Sequence, residues 1–361
     1  DSLIDRAGYK PQIAGNVNAA YAPVINGYGY DTALSNGQSV SALISYNQKI
    51  FGNGRKAAQS ESFRLIRESL SLNRKVAVKD LDKAVTSQYI TAWGTSSQIS
   101  YNEKTLELLR NEESILKKLT QNAVYKQTDY LIFDVTLKQL QLTILQLKQQ
   151  YLNDLSMLNY LSGEVDNGAV SLKAPEVSVK AEKSKNVFLR QFETDSLKLR
   201  NSNAILNNTY KPSLSLLADA GYSSSFVYQA YKNFGTSAGI ALTIPIYDGN
   251  QKSLQRQKND AAMETVKSYR RNFDRQYRQQ LLMLNQKLTA ADETRGLLKD
   301  QLDISRALIE ADKKLLVSGD VQITEYLLAI SNLIAIQNQA AQVEIDKLQT
   351  INELNYWKSD D

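Results

Sequence analysis

The sequence predicts a mixed α/β fold built as an internal two-fold repeat. Each half supplies two long strands and then a pair of very long helices. Three observations predict it: landmark peptides recur in order along the chain, paired segments alternate apolar and polar residues, and long proline-free runs follow each pair.

The repeat is read from fixed offsets. Tyr9-Lys10-Pro11 recurs as Tyr210-Lys211-Pro212, and Tyr21 and Tyr222 keep the same separation. After one change of register, Ile50-Phe51-Gly52 aligns with Ile246-Tyr247-Asp248. Asp129-Tyr130-Leu131 aligns with Glu325-Tyr326-Leu327 and Leu158-Asn159-Tyr160 with Leu354-Asn355-Tyr356 in that second register. Residues 1–163 form the first repeat, 164–179 a linker with Gly163, Gly168 and Pro175 in or beside it, and 180–361 the second repeat.

Strands are expected at 12–22, 38–50, 213–223 and 237–247. In the first, Ile13, Val17, Ala19 and Tyr21 oppose Asn16 and Asn18; in the second, Val40, Ala42, Ile44 and Tyr46 oppose Ser39, Ser41 and Ser45. Leu214, Leu216, Ala218, Ala220 and Tyr222 oppose Ser215 and Asp219 in the third. The fourth puts Ala238, Ile240, Leu242, Ile244 and Ile246 on one side. Period two with one wet face is the signature of a strand. The lengths exceed those of most globular strands and suit a tilted membrane crossing, with the apolar set toward lipid and Asn16, Ser41, Ser215 and Asp219 toward water. The loops at 23–37 and 226–235 carry Gly27, Gly29, Asn36, Gly37 and Phe226, Tyr228, Tyr231, Phe234; aromatic residues there fit an interfacial girdle.

Gly52-Asn53-Gly54 and Asp248-Gly249-Asn250 then turn the chain into helices at about 55–118 and 251–316. The chain returns through 128–161 and 323–357, and a further helix is expected at 180–210. Leu281, Leu284, Leu288, Ala291, Leu298, Leu302, Ile309 and Leu316 follow alternating three- and four-residue spacing, the seam of a coiled coil. No helix is read before Tyr9, and Asp1 is not a translational start, so the sequence is expected to begin inside or after a processed precursor.

Composition narrows the chemistry. Histidine and cysteine are absent, which removes the usual zinc sites, histidine acid–base pairs, thiol nucleophiles and disulfides. A net charge of +5 is weak for 361 residues and gives no basic stripe for nucleic acid. Gly52-Asn53-Gly54 lacks the lysine and hydroxyl of a phosphate loop. No enzyme activity, cofactor or metal is expected. No stretch is apolar enough for a helical membrane span, which does not bear on a β-barrel. Four strands with one apolar face leave two edges, so a spanning barrel needs several copies about an axis; three would give twelve strands.

With these features placed, the chain resembles the outer membrane factor family, the TolC-like outer membrane efflux proteins. The resemblance is carried by Tyr210-Lys211-Pro212 before a strand, by the run Gly239 to Gly249 (GIALTIPIYDG) at a strand–helix join, and by Gly319 followed by Ile323, Glu325 and Leu327 at the far helical turn. Looser copies lie at 9–11, 41–54 and 123–131. The resemblance implies a mixed α/β membrane protein: a homotrimer whose twelve-stranded outer-membrane β-barrel, four strands per protomer, continues into a long periplasmic α-helical coiled-coil barrel. It implies a Gram-negative outer membrane, a periplasmic adaptor (membrane fusion protein) and an inner-membrane transporter as partners. The implied function is that of an exit channel in tripartite efflux or type I secretion. A second reading is an elongated helical spacer or adhesin-like assembly without transport.

The family's entrance motif falls on the far turns. It implies a gate or constriction at Glu325, Leu328, Asp129, Tyr326 and Tyr130, with Leu328 where the family has a second acid. Tyr125, Lys126, Gln127, Tyr130 and Tyr326 are expected to hydrogen-bond between neighbouring helix pairs. The expected adaptor-contact region comprises Val124, Tyr125, Lys126, Val317, Gly319, Asp320 and Val321, with Val124, Val317 and Val321 exposed. Asp320 is read as the cap of the returning helix. Because Ala123 stands where the second copy has Gly319, the first turn is expected to use a different backbone geometry.

Overall fold

A computed structural model of the chain describes residues 2–30, 37–50, 53–165, 168, 170–181, 186–225 and 229–358. Asn36, Phe51, Gly52, Phe226 and Tyr228 lie outside them. The element order is α1 (Ser2–Ala7), β1 (Gln12–Tyr21), β2 (Gln38–Lys49), α2 (Asn53–Gln121), α3 (Gln127–Ser162), α4 (Val187–Thr209), β3 (Ser213–Ser224), β4 (Phe234–Thr243), α5 (Gln251–Ser318) and α6 (Ile323–Lys358).

The strands form one antiparallel sheet in the order β1-β2-β3-β4, which leaves β1 and β4 as its edges. The register sets Ile13 opposite Tyr46, Val17 opposite Ala42, Ile44 opposite Ala220, and Leu216 opposite Ile240. All eight therefore share one face, and pairing parity sends the polar set to the other. There Asn16 donates to Ser45 Oγ at 2.9 Å and Ser237 Oγ donates to Asp219 at 2.6 Å. The apolar face is bare in the single chain: Ile13 is 72% exposed, Val17 81% and Ile240 69%. β4 starts and stops earlier than the expected 237–247. Pro245 has no N–H to continue a ladder, so Ile244 and Ile246 fall beyond the strand.

Two elements correct the sequence reading. The six-residue α1 does precede Tyr9, too short to show a period, and it aligns with the last turns of α4. The helix expected from 180 begins at Val187. The Tyr-Lys-Pro repeat acquires a structural reason: Lys56 Nζ lies 6.0 Å from the Tyr9 ring centre and Lys252 Nζ 5.2 Å from that of Tyr210. Each strand pair thus rests its leading tyrosine under a lysine of the helix that follows it.

The chain divides into two compact units, Asp1–Leu72 with Arg190–Arg271, and Asn73–Leu189 with Asn272–Asp361. Each draws on both sequence repeats. The first holds the sheet, with asparagine side chains tying its helices: Asn201 donates to Ala58 O at 2.8 Å, and Asn259 to Asn203 at 2.7 Å. The second holds α3 and α6 with the parts of α2 and α5 from Asn73 and Asn272 onward, that is, the turn ends of the hairpins α2–α3 and α5–α6. Buried Asp154 accepts from Thr95 at 2.7 Å and Gln150 at 2.8 Å, pinning α3 to α2. Gly94 lets α6 approach α2, since a Cβ there would lie 2.2 Å from Ile345 Cδ1. Phe188, Phe273, Tyr356 and Trp357 form an aromatic cluster with ring centres 5.1–6.4 Å apart. The seam on α5 is buried at Leu284, Leu298, Ile309 and Leu316, as its spacing predicts. Among the described residues no helix is long and apolar enough to cross a membrane.

Candidate functional site: the turns of the helical hairpins

Both hairpin turns begin with the same helix end. In the first, Val124 N–H donates to Leu119 O at 2.9 Å and Ala123 N–H to Thr120 O at 3.1 Å. In the second, Asp320 N–H donates to Leu315 O at 2.9 Å and Gly319 N–H to Leu316 O at 3.4 Å. These are paired Schellman closures, with Ala123 at φ 61° and Gly319 at φ 82° in the left-handed region. The expectation of a different geometry at Ala123 is therefore overturned. The same orphan carbonyls need the same closure, and alanine accepts the left-handed conformation at a cost of about 1–2 kcal/mol.

Packing explains why the second position has no side chain. A Cβ on Gly319 would lie 2.8 Å from Val124 Cγ1, so each turn rests on the other. Tyr125 closes the contact: its hydroxyl lies 2.9 Å from Val321 O and 3.1 Å from Leu316 O, where its one proton is shared between the two carbonyls. That bond does join neighbouring helix pairs, here the two hairpins of one chain. Burial first, then the nearby charges of Asp129 and Asp320, push the Tyr125 phenol above its ordinary pKa. Val321, expected on the surface, is instead buried at 7% because it fills the place that Tyr125 holds in the other repeat. Val124 and Val317 are exposed, as are Lys126 and Gln127.

The returning helices differ in what their acids do. Lys126 is the N-cap of α3, and its N–H donates to Asp129 Oδ2 at 3.0 Å. Asp129 is thus half-buried and holds an orphan donor of the helix start. In α6 the capping position belongs to Gln322, whose carbonyl accepts from Glu325 N–H at 3.0 Å and Tyr326 N–H at 3.2 Å. Asp320 lies two residues too early to cap α6; it completes the closure of α5 instead. Glu325 is exposed, and among the described residues its carboxylate has no hydrogen bond or ion pair. One turn on, Leu328 is 62% exposed.

The two tyrosines after these acids also part ways. Tyr130 donates to Glu113 at 3.3 Å; burial, then that carboxylate, raise its pKa. Tyr326 is wholly buried in a core with Leu116, Phe133, Leu316 and Ile330, and among the described residues its hydroxyl has no hydrogen-bond partner. It is therefore closed to any neighbouring chain in this arrangement, contrary to the expected latch. Burial drives its pKa far upward, with smaller contributions from Glu112, Glu310 and Asp312. Glu112, also fully buried, has Lys313 Nζ 2.9 Å away, yet neither carboxylate oxygen receives a well-aligned donor. The carboxylate raises the Lys313 pKa.

Sequence reasoning missed a second seam. Leu297, Ile304, Leu308 and Leu315 of α5 are 43–73% exposed at heptad-like spacing, and so are Leu131, Val135, Leu142, Leu145 and Leu152 of α3, at 47–68%. Their spacing was a readable signal, masked by the stronger buried seam beside it.

No family model matches the chain, and no curated protein matches it. Solved structures do. CusC, described in the context of transmembrane channel formation, superposes with a TM-score of 0.81 at 12% identity, covering 98% of this chain and 84% of its own. This chain has the fold of the outer-membrane channels. The same fold relates it to the Campylobacter jejuni CmeC outer membrane channel, with a TM-score of 0.75, 12% identity and coverage of 100% and 81%. The open state of the Neisseria gonorrhoeae MtrE outer membrane channel gives 0.71, 15% identity and coverage of 98% and 82%. Within this channel fold, the identities leave the side-chain assignments to the geometry above.

Proposed function

We propose that the chain is the protomer of a passive exit channel in a Gram-negative outer membrane, conducting substrate delivered by an inner-membrane transporter and a periplasmic adaptor. The observation that carries this is the sheet: an exposed apolar face, a polar opposite face and two unpaired edges, in a chain with the outer-membrane channel fold. Edges cannot remain unpaired in lipid. Because four antiparallel strands leave β1 and β4 running in opposite directions, β4 of one copy pairs with β1 of the next, and three copies close twelve strands. The exposed heptad stripes of α3 and α5 support lateral contacts of the same kind between hairpins, closing the periplasmic helical barrel.

In this assembly the hairpin turns form the entrance. Glu325 supplies a ring of acids, Leu328 an apolar layer one turn further on, and Asp129 is held back by its cap. Val124, Lys126 and Val317 lie on the surface offered to the adaptor. Single-channel recording of Glu325→Gln in planar bilayers tests the placement. Cation selectivity and block by multivalent cations should both weaken, because a carboxylate ring attracts cations. Unchanged selectivity in an assembled channel would remove Glu325 from the pore, and assembled particles that never conduct would favour the helical spacer.

A further inference from the structure

The two rims of the sheet differ in charge. The helix-side rim is where β1 and β3 begin, β2 and β4 end, and α2 and α5 depart. It carries Lys10, Arg55, Lys56, Lys211 and Lys252, all exposed, whereas Lys49, paired with Ser215, lies on the polar face. The one acid in the segments 8–12, 48–56, 209–216 and 244–254 is Asp248. Its carboxylate is engaged by the Tyr210 hydroxyl and by Lys252 N–H at 2.7 Å. Among the described residues none of the five cations is in an ion pair, and Lys56 and Lys252 lie near tyrosine rings instead. On the opposite rim the described residues hold one charge, Lys232. Apolar side chains accompany the basic ones: Ile246 is 95% exposed, Tyr247 83% and Ile244 54%.

We propose that this rim is a docking surface for the anionic phospholipid headgroups of the membrane leaflet it meets, an inference that rests on the exit-channel reading. Copies of the chain brought together about an axis bring the same positive rim together, so the balancing anions come from outside the chain. A soluble anion would satisfy the charge but leave Ile244, Ile246 and Tyr247 in water. A leaflet surface satisfies both, with lysine stems lying along the apolar boundary and their ammonium groups at the phosphates. Each basic residue near an anionic surface contributes about fivefold in affinity.

Native mass spectrometry of the detergent-solubilised assembly tests this with phosphatidylglycerol, phosphatidylcholine of the same acyl chains, and glycerol phosphate. Phosphatidylglycerol should be retained preferentially. Retention should fall by about a hundredfold in R55Q/K56Q/K252Q and stay unchanged in Lys232→Gln at the other rim. A K56R/K252R variant keeps charge and ring contact, and should retain the lipid. Equal retention of the two lipids by the unaltered protein would overturn the proposal. So would retention surviving in the triple glutamine variant, or displacement by an equal concentration of glycerol phosphate. Bilayer conductance separates the two readings. A channel that conducts without lipid preference defeats the rim alone, whereas lipid preference without conductance supports the rim and counts against the channel.

Discussion

The turn at Ala123 and the turn at Gly319 close with the same two backbone hydrogen bonds, yet their side chains differ at every position from 120 to 127 against 316 to 323. Tyr125 faces Val321 across the contact, and the first repeat's acid is committed to a helix cap while the second repeat's acid is unpaired. The difference shows how a duplicated hairpin divides labour. Backbone closure is required of both copies, because both helices end with unsatisfied carbonyls. Side chains beyond that closure are free to specialise. One turn supplies rigidity through Tyr125 and Asp129; the other supplies the exposed Glu325 and Leu328.

The largest expected effect breaks the comparison at its glycine. Gly319→Ala combines a left-handed alanine with the approach of Val124 and should lower the free energy of local opening at the second turn by about 2–3 kcal/mol. Hydrogen exchange at the Asp320 amide reads this as a loss of protection approaching a hundredfold; unchanged exchange would contradict the packing described. Ala123→Gly, the reverse change in the other repeat, should add about 0.5–1 kcal/mol of protection at Val124, less than the full conformational cost because glycine also gains freedom when the turn opens.

Tyr326→Phe should come next in size. It removes a buried hydroxyl that has no partner among the described residues, and should stabilise the hairpin core by about 1 kcal/mol. The same residue sets a pH dependence. A phenol whose pKa is raised in the folded chain gives stability that is complete below its unfolded value of about 10 and is lost as pH climbs beyond it. Lys313, also raised, acts in the same direction. The phenylalanine variant should therefore show a shallower alkaline loss of thermal stability, and an identical alkaline profile would place the titration elsewhere.

Smallest in stability is the contrast between the two acids. Asp129→Asn should weaken the start of α3 by about 0.5–1 kcal/mol, whereas Glu325→Gln should leave α6 within about 0.5 kcal/mol of its original stability. Equal losses in amide protection at the two helix starts would show that Glu325 caps as well and is not a free pore acid.

Much of this was legible in the sequence because strand parity and helical seams are periodic. Ile13, Val17, Ile44 and Ile240 lie on one face, and Leu284, Leu298, Ile309 and Leu316 are buried, as period and spacing predict. What failed was local. The intrinsic preference of Ala123 is against the left-handed region, but helix closure overrides it. Val321 follows Gly319 in a turn where exposure is expected, but it aligns with Tyr125 and occupies a packed position. Asp320 has the chemistry of a cap, but the capping position of α6 lies two residues further on, a shift that the helical period does not encode. Burial of Tyr326 depends on contact between α2, α3, α5 and α6, which no single segment's pattern contains.

The central claim is that the two free edges of this sheet are joined between copies to close a membrane channel. Determining the structure of the detergent-solubilised oligomer tests it directly. The account predicts three chains, with β1 of each hydrogen-bonded antiparallel to β4 of the next and the Ile13, Val17 and Ile240 face turned outward to detergent. Any other number of chains in the closed particle, or β1 and β4 left unpaired within it, would contradict the account.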